Sequence, residues 1–412
     1  MNATVTRRMF TTAGLSAAAF PYLLPQRAKG ANDRVRVGVI GAGNRGGLLM
    51  DQLPEGAEII AVADCFRKRS EDAVAKRKAS WRIHNDYREL LDRKDIDGVI
   101  ISTNDHARVR CAIHAVQAGK DVYAEKPLSI YVAEGRALVK AVRKYNRILQ
   151  VGSQQRSMAM NVTACNFVKN GGLGRIHLVL GVNYSAPVKI GAMPEDPVPE
   201  GLNWDLWLGQ TAQRPYNLEL FSHWMRYWDY SGGDMTNWGA HGVDQIQAAL
   251  GMDRTGPVEF WPLQEAPEGS VAFRYATGTE VRLELPPGDL QGGAMFIGEK
   301  GRIEITRNAL RTDPPNMIKE LPPQEEVDKW KRAQWQAKYH MQNWLDCMKS
   351  RETPLADVEI GHRSISVCHI ANLARQLNRK LHWDPEAEKF TSDAEANDRL
   401  TRTPRKGYEI PS

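Results

Sequence analysis

The sequence has few cysteines, no long hydrophobic run and almost no surplus charge beyond its first 31 residues. Five cysteines occur among 412 residues, without a CxxC pair or the spacing of a metal site, which argues against both a disulfide framework and a bound metal. The uncharged run from Thr11 to Pro25 is shorter than the roughly 20 residues that cross a bilayer. We therefore expect no metal and no stable membrane span.

The charge balance argues against a nucleic-acid partner. The chain has 55 Lys and Arg against 49 Asp and Glu, and four of those basic residues lie within residues 1–31, which leaves 51 against 49. Nucleic-acid-binding domains normally carry a strongly basic surface. A nearly neutral body therefore predicts no nucleic-acid partner.

The first 31 residues have the pattern of an export signal. Thr6-Arg7-Arg8-Met9-Phe10 precede the uncharged run, and a positive region followed by an apolar region and small residues is typical of a signal peptide. The arginine pair indicates the twin-arginine route. We expect residues 1–31 to be a signal peptide of a periplasmic protein; the alternative is a disordered N-terminal arm.

The remaining chain predicts two domains and a tail. Over residues 32–152, short β-branched runs alternate with helical stretches, which is typical of a Rossmann, doubly wound parallel sheet. Over residues 153–385, strands joined by hairpin turns such as Ala276-Thr277-Gly278 predict an α+β domain with a large open, mostly antiparallel sheet. Residues 386–412 are predicted to be a tail that packs back on the body.

The open sheet also predicts self-association. One face of such a sheet stays uncovered unless it meets a partner, and large apolar patches seldom remain exposed. We expect a homodimer or a homotetramer.

A glycine-rich turn follows the first predicted strand, in the order Gly41-Ala42-Gly43-Asn44-Arg45-Gly46. In a dinucleotide site Gly41 would allow the tight turn, Gly43 the approach of the pyrophosphate and Gly46 the packing of helix on strand. The phosphates would then lie at the N-terminus of a helix, beside Asn44 and Arg45. Taken alone, the motif is an equally good glycine-rich turn without a ligand.

Asp64 ends the second predicted strand, where a carboxylate would accept hydrogen bonds from the adenosine ribose and repel a ribose phosphate. This favours NAD over NADP. Arg67, Lys68 and Arg69 follow and could instead hold a phosphate, although a solvated helix face explains them equally simply.

Two further strand ends carry polar residues. Thr103, Asn104 and His106 follow one strand and Glu125 and Lys126 another, at the edge where open α/β sheets bind ligands. Burial and a neighbouring cation would lower the pKa of a lysine there, so that its neutral amine could act as a base. The alternative for Lys126 is a salt bridge with Glu125 or another carboxylate.

The second domain supplies the other candidates. Asn237, His241 and Asp244 share one face if their segment is helical. An aromatic-rich segment suited to stacking on sugar rings comprises Trp204, Trp207, Trp224, Tyr227, Trp228 and Trp238. Arg156, Tyr184 and Asp234 are candidate hydroxyl-binding groups around it.

In these motifs the chain resembles the glucose-fructose oxidoreductase, inositol dehydrogenase and MocA (Gfo/Idh/MocA) family, in particular an exported branch with twin-arginine signals. Besides the glycine turn, the matching segments are 103–106, 125–127, 152–156, 202–209, 232–244, 359–363 and 383–386. The resemblance implies an NAD(P)-dependent oxidoreductase in which Lys126 and His241 are catalytic and Thr103, Asn104, His106, Glu125, Gln154 and Gln155 help to bind the cofactor. It also implies a cis Lys126–Pro127 bond.

The chain departs from the family pattern at three positions. Asn104 stands where the family commonly has proline, Arg108 where a second histidine is frequent, and Asn237 where inositol-dehydrogenase-like members have aspartate. An amide cannot relay a proton, so Asn237 would position groups while Lys126 and His241 handle the proton.

The predicted function is therefore an NAD(H)-dependent oxidoreductase that acts on a hydroxyl or carbonyl of a sugar, cyclitol or glycoside. One alternative is a redox-neutral glycoside hydrolase or lyase, which would oxidise, eliminate, hydrate and re-reduce at the same site. Another, of a different class, is a non-catalytic sugar-binding protein on the same fold.

Overall fold

A computed structural model describes residues 34–411 except 267, 289 and 332–334. The predicted signal peptide lies outside the described residues. Both sheets belong to one unit that begins at Val35. Over the described ranges, no helix is long and apolar enough to cross a membrane, and no three His, Cys, Asp or Glu side chains are grouped as metal ligands.

The first half of the chain forms a parallel sheet. Its strands are β1 (Val35–Ile40), β2 (Ala57–Ala63), β3 (Arg82–His84), β4 (Gly98–Ile101), β5 (Asp121–Ala124) and β6 (Leu149–Val151). They lie in the order β3-β2-β1-β4-β5-β6, and every pairing is parallel. All residues of β4 and β5 are buried, as expected where helices cover both faces. The predicted doubly wound sheet is confirmed.

Helices of the first half connect these strands. They are α1 (Asn44–Asp51), α2 (Arg67–Arg77), α3 (Tyr87–Leu91), α4 (Asp105–Gln117) and α5 (Val132–Lys144). The N-termini of α1 and α4 follow β1 and β4 directly. This places both helix starts at the carboxyl edge of the sheet.

The second half forms a nine-stranded sheet within the described residues. Its strands are β7 (Ile176–Val182), β8 (Glu259–Pro262), β9 (Val271–Arg274), β10 (Glu280–Leu285), β11 (Ala294–Gly298), β12 (Gly301–Thr306), β13 (Ala309–Asp313), β14 (Leu381–Asp384) and β15 (Lys389–Phe390). The order is β13-β12-β11-β7-β10-β9-β8-β14-β15. Only the β7–β10 pair is parallel, so the predicted mostly antiparallel sheet is confirmed.

Helices of the second half flank that sheet and reach the first. They are α6 (Ala159–Lys169), α7 (Trp204–Leu208), α8 (Leu218–His223), α9 (Gly233–Asn237), α10 (Gly239–Leu250), α11 (Gln324–Asp328), α12 (Lys338–Ser350), α13 (Val358–Leu377) and α14 (Ala394–Asp398). Two 3₁₀ turns span Gln154–Ser157 and Trp224–Arg226.

Helix α12 belongs to the second half of the sequence but packs under the first sheet. Trp344 is fully buried in one cluster with Val35 and Val37 of β1, and its ring lies 5.9 Å from that of Tyr123 on β5. A Cβ added at Gly98 of β4 would lie 3.0 Å from the same indole. One face of the first sheet is therefore completed by a helix that lies between β13 and β14 of the second sheet in the sequence.

The predicted boundary between residues 385 and 386 falls inside a hairpin. β14 pairs with both β8 and β15, and the rings of Trp383 and Phe390 lie 5.0 Å apart. The first tail residues thus form the edge of the second sheet.

Candidate active site

A cleft of about 610 Å³ lies along the carboxyl ends of the parallel strands, facing segments of the second half. This is the edge where open α/β sheets bind their ligands. The predicted site residues that line it are Gly41, Gly43, Asn44, Arg45, Asp64, Thr103, Asn104, Glu125, Lys126, Gln154, Asn237 and His241. Candidates more than a hundred positions apart in sequence therefore share one cavity.

The glycine turn has a backbone that larger residues would disturb. Gly41 has φ of +94°, and a Cβ there would lie 2.8 Å from the backbone of Ser102. A Cβ at Gly46 would lie 2.1 Å from the carbonyl oxygen of Gly41. Gly43 is the N-cap of α1 and offers no capping side chain, so the helix start is suited to an anion. These features fit the pyrophosphate of a dinucleotide.

Lys126 is held at the end of β5 by a neutral partner. Its Nζ donates to the Oδ1 of Asn237 at 2.8 Å and to the Asn237 carbonyl oxygen at 2.9 Å. Burial lowers the pKa of Lys126 to about 8, although the carboxylates of Glu125 and Asp105 oppose the shift. Among the residues that the structure describes, no carboxylate forms the salt bridge with Lys126 that was the alternative. The Lys126–Pro127 peptide bond is cis, as predicted.

Glu125 pairs instead with Arg45 of the glycine turn. The Nη2 of Arg45 lies 2.8 Å from the Oε1 of Glu125, and Gln154 donates to the same oxygen at 3.2 Å. Although burial opposes it, Arg45 holds the pKa of Glu125 below its usual range. Glu125 thus stays ionised beside Lys126, but its ion pair is with Arg45.

His241 and Arg307 lie at the same end of the cleft as Lys126. Burial, with help from Arg307 and Lys126, lowers the pKa of His241 well below its usual value, so its imidazole is neutral. Arg307 follows β12, and burial together with Arg45 lowers its pKa to about 10. The reacting end of the cleft thus combines a neutral imidazole, a tunable amine and a cation.

Five predicted site residues do not reach the cleft because protein partners hold them elsewhere. The buried Nε2 of His106 bonds the Trp207 carbonyl oxygen at 2.7 Å. Arg156 forms a buried ion pair with Asp244 at 2.8 Å, and Gln155 donates to Gln245 at 2.7 Å. The hydroxyl of Tyr184 accepts from the Gly292 N–H at 3.3 Å.

Two further predicted residues lie outside the lining for other reasons. Asp234 is exposed on α9 and does not line the cleft. Gly46 lies behind the turn, where it contacts Gly41. Gly46 therefore shapes the site without forming its surface.

Comparison with known proteins identifies the architecture. Residues 35–153 match the model of the oxidoreductase family's NAD-binding Rossmann fold, and residues 186–410 match that of its C-terminal alpha/beta domain. The chain belongs to the Gfo/Idh/MocA oxidoreductase family. Its first half is an NAD-binding Rossmann domain, and the predicted family is confirmed.

Individual relatives are more distant. Inositol 2-dehydrogenase of Salmonella typhimurium is 29% identical over 172 residues, which are 41% of this chain and 50% of the relative. Thus the match spans about half the length of such curated relatives. WlbA dehydrogenase of Bordetella pertussis, solved with NADH and UDP-GlcNAcA, superimposes with a TM-score of 0.66 at 19% identity over 86% of this chain and 99% of that one. Aldose-aldose oxidoreductase of Caulobacter crescentus has a TM-score of 0.60 at 15% identity, over 85% and 100%.

Several lining residues were not among the predicted site residues of this Gfo/Idh/MocA chain. They are chiefly Arg69, Arg110, Phe221, Arg307, Trp335 and Tyr408. Of the predicted aromatic segment, Trp207, Trp224 and Trp238 line the cleft, whereas Trp204 packs on Trp207 with ring centroids 4.5 Å apart. The aromatic composition therefore predicted that aromatic side chains line the cleft, but not which of the rings do so.

The adenosine end of the cleft is marked by Asp64. Its Oδ2 accepts from the Ala42 N–H at 2.8 Å and its Oδ1 from the Phe66 N–H at 2.9 Å. The guanidinium of Arg69 lies 4.0 Å from a Cβ built on Gly43. Arg67 and Lys68 instead pair with acidic residues one turn along α2, as the solvated-face interpretation predicts.

We expect the unmodified protein to bind NAD at least several-fold more tightly than NADP, and Asp64→Ala to narrow that difference. The Asp64 carboxylate repels a ribose phosphate, whereas Arg69 attracts one. Arg69→Ala is the matched variant, and it should widen the difference by weakening NADP alone. Titration of tryptophan fluorescence with each dinucleotide measures the NAD and NADP affinities of the unmodified protein and of both variants. Tighter binding of NADP by the unmodified protein would contradict this assignment.

Proposed function

We propose that this protein is an NAD(H)-dependent oxidoreductase that acts on a hydroxyl or carbonyl group of a sugar, cyclitol or glycoside. The observation that carries the proposal is the half-buried amine of Lys126, held by Asn237 in the cleft that contains the glycine turn and His241. A lysine with a pKa of about 8 can exchange a proton near neutral pH. The names of the similar inositol and sugar dehydrogenases support this substrate class.

The residues of the cleft divide the work between them. When bound, NAD⁺ supplies the acceptor for a hydride. Lys126 takes the hydroxyl proton in its neutral form, and Asn237 orients the amine through two acceptor oxygens. His241, neutral because it is buried, can donate or accept a hydrogen bond at the same oxygen. Trp238 and Trp335, whose rings lie 6.5 Å apart, offer apolar faces to a sugar ring.

A redox-neutral reaction on a glycoside is the second candidate. Oxidation of a ring carbon acidifies its neighbour, so elimination, hydration and re-reduction at one site would give net hydrolysis. The observation that favours it is the presence of Tyr408 of the tail in the lining of the cleft, because a side chain that hinders cofactor exit suits a cofactor that is recycled in place. A non-catalytic sugar-binding protein would not need Lys126 and His241 together in one cleft.

We also propose export and self-association. The Arg7-Arg8 pair and the uncharged run after it support export by the twin-arginine route to the periplasm. The large open sheet supports a homodimer or homotetramer. Light scattering at micromolar concentration tests the proposed self-association. A monomeric mass would exclude the homodimer and the homotetramer.

The deciding experiment measures the cofactor and the reaction together. Protein purified without added dinucleotide is assayed for NAD(H), and a panel of sugars, cyclitols and aryl glycosides is tested for a change in nicotinamide absorbance and for released aglycone. An absorbance change without aglycone release supports net oxidation or reduction, whereas aglycone release supports the redox-neutral cycle. Dinucleotide binding without either response across the panel would favour the non-catalytic alternative.

We expect the rate of hydroxyl oxidation to rise with pH through about 8 and then level off. The pKa of Lys126 is lowered from 10.5 to about 8, and only its neutral amine accepts a proton. Asn237→Asp would place a carboxylate against the ammonium and stabilise the charged form. The rise should therefore move to higher pH in that variant.

The measurement is kcat/KM against pH for both proteins. A rise centred near 6.5 that Asn237→Asp leaves in place would instead assign the base to a histidine of ordinary pKa.

A further inference from the structure

The C-terminal segment 399–411 crosses from one domain to the other beside the cleft. Arg402 anchors it to the first domain, where its Nε lies 2.7 Å from the buried carboxylate of Glu134 and its Nη2 donates to the His106 carbonyl oxygen at 2.9 Å. Arg405 anchors it to the second domain through the Gly209 carbonyl oxygen at 3.1 Å and the carboxylate of Asp205. The segment therefore bridges both walls of the cleft.

Tyr408 is the residue of this segment that lines the cleft. Its hydroxyl donates to the Oδ2 of Asp205 at 2.6 Å. The guanidinium carbons of Arg110 and Arg405 lie 4.7 Å and 4.3 Å from the centre of its ring. Arg110 also donates to the Gly407 carbonyl oxygen at 3.1 Å. The ring is thus fixed by contacts with α4, with Asp205 of α7 and with its own segment.

This position lies at the adenosine end. Cys65 follows Asp64 and lines the cleft together with Cys111 of α4; burial, with a smaller contribution from Asp64, raises the pKa of the Cys65 thiol. Cys111, Tyr87 and Arg110 continue the cleft from there to Tyr408. The lining is therefore continuous from the ribose-binding position of Asp64 to the tail.

Residues of the second domain also contact the first domain next to Asp64, at the adenosine end of the cleft. The Asn203 N–H donates to the Cys65 carbonyl oxygen at 2.8 Å, and the Arg67 N–H donates to that of Gly201 at 3.0 Å. The α7 helix follows, and the Gly209 and Gln210 that end it line the cleft and accept from Arg405. The tail thus binds the end of α7 through Arg405 and also contributes Tyr408 to the lining of the cleft.

We propose that the C-terminal segment is part of the dinucleotide site: Tyr408 closes its adenosine end, and the anchors of the segment retain the bound dinucleotide between turnovers. A flat aromatic ring beside arginine provides a stacking surface for adenine. Release requires this segment to move, because the Tyr408 ring lies against Arg110 and Arg405 fixes the segment to Asp205 and Gly209. The proposal depends on the proposed function only in that the cleft holds NAD(H), and not on the identity of the sugar.

The test measures release of dinucleotide without any sugar. Protein is loaded with NADH and mixed with a large excess of NAD⁺, and the loss of bound NADH fluorescence gives the dissociation rate. Tyr408→Ala should accelerate release roughly tenfold, since stacking on an aromatic side chain contributes about 1–3 kcal/mol per base. Tyr408→Phe keeps the ring and should stay close to the unmodified rate.

Two further variants separate the tail from its tyrosine. Arg405 does not line the cleft, so faster release from Arg405→Ala would show that the anchors hold the segment closed. Lys406→Ala, an exposed change in the same segment, is the matched control and should release NADH at the unmodified rate. Thermal unfolding of each variant checks that it is folded, and Arg405→Ala carries the test should Tyr408→Ala fail to fold.

The outcomes are distinct. Equal release rates for the unmodified protein, Tyr408→Ala and Arg405→Ala would overturn the role of the tail while leaving the proposed function intact. Failure of the unmodified protein to bind NADH or NAD⁺ would overturn the proposed function itself. Accelerated release with no sugar oxidised in the panel would support the tail's role alone.

Discussion

Lys126→Ala is expected to reduce turnover by about 10²–10⁴-fold, the range that a general acid or base contributes, while the affinity for NAD changes little. The amine is assigned to the substrate proton, whereas the dinucleotide is expected to contact chiefly the glycine turn, Asp64 and the strand ends. Steady-state kinetics on the substrate found by the panel, with a separate dinucleotide titration, measures both effects. Full activity of Lys126→Ala, or a loss confined to cofactor affinity, would refute the mechanism.

Lys126→Arg is the matched control. Arginine keeps the positive charge and the length but does not lose its proton in this pH range, so it should be nearly as inactive as alanine. High activity of Lys126→Arg would show that the charge matters rather than the proton. His241→Ala should also lower turnover, and a double variant with Lys126→Ala should cost less than the product of the two if they act as one unit. Asn237→Ala should cost less than either because the amide only positions the amine.

Gly46→Ala is expected to lower the affinity for NAD by more than about tenfold and to destabilise the fold by roughly 1–3 kcal/mol, as overpacked sites do. The added Cβ would lie 2.1 Å from the Gly41 carbonyl oxygen, so the turn that receives the pyrophosphate must move. Gly47→Ala is the matched control, because a Cβ there would meet only the end of the Arg77 side chain at 3.7 Å.

Dinucleotide titration and chemical unfolding of both variants give the two effects. Unchanged NAD affinity in Gly46→Ala would mean that this turn does not hold the phosphates. Equal losses in the two variants would place the effect in α1 as a whole rather than in the turn.

The strand-end motifs were predictable because their positions follow from chain direction alone. In a parallel sheet every strand ends at the same edge, so Asp64, Thr103 and Lys126 had to share a cleft once their strands were recognised. The three-residue β3 was not predicted, since Arg82-Ile83-His84 carries too few apolar residues for an alternating pattern. Its absence from the prediction did not affect the site, because β3 is the edge strand.

Which neighbours of a motif face inward could not be predicted. His106 follows Asn104 by two positions, but the turn of α4 directs it to the Trp207 carbonyl oxygen. Gln155 follows Gln154, yet its side chain donates to Gln245 outside the lining of the cleft. Adjacent residues on a short helix point in different directions, and only the packing of the second domain determines which of them the cleft receives.

The positions of Arg307 and Tyr408 in the cleft could not be predicted from the sequence for a different reason. Arg307 lies in the turn between β12 and β13, and the second of these strands was not predicted. The tail was predicted to pack back on the body, but the place of Tyr408 in the cleft depends on the path of the chain after β15. Contacts across such separations are set by tertiary structure rather than by a local pattern.

The position of α12 has a consequence for the order in which the protein is made. The nucleotide-binding sheet is complete in sequence by residue 152, yet Trp344 covers its face and the Val151 N–H donates to the Ala356 carbonyl oxygen at 2.8 Å. A nascent chain that has emerged only as far as the last strand of that sheet lacks the contribution of Trp344 to the cluster of Val35 and Val37. We therefore expect stable cofactor binding only after α12 has been synthesised.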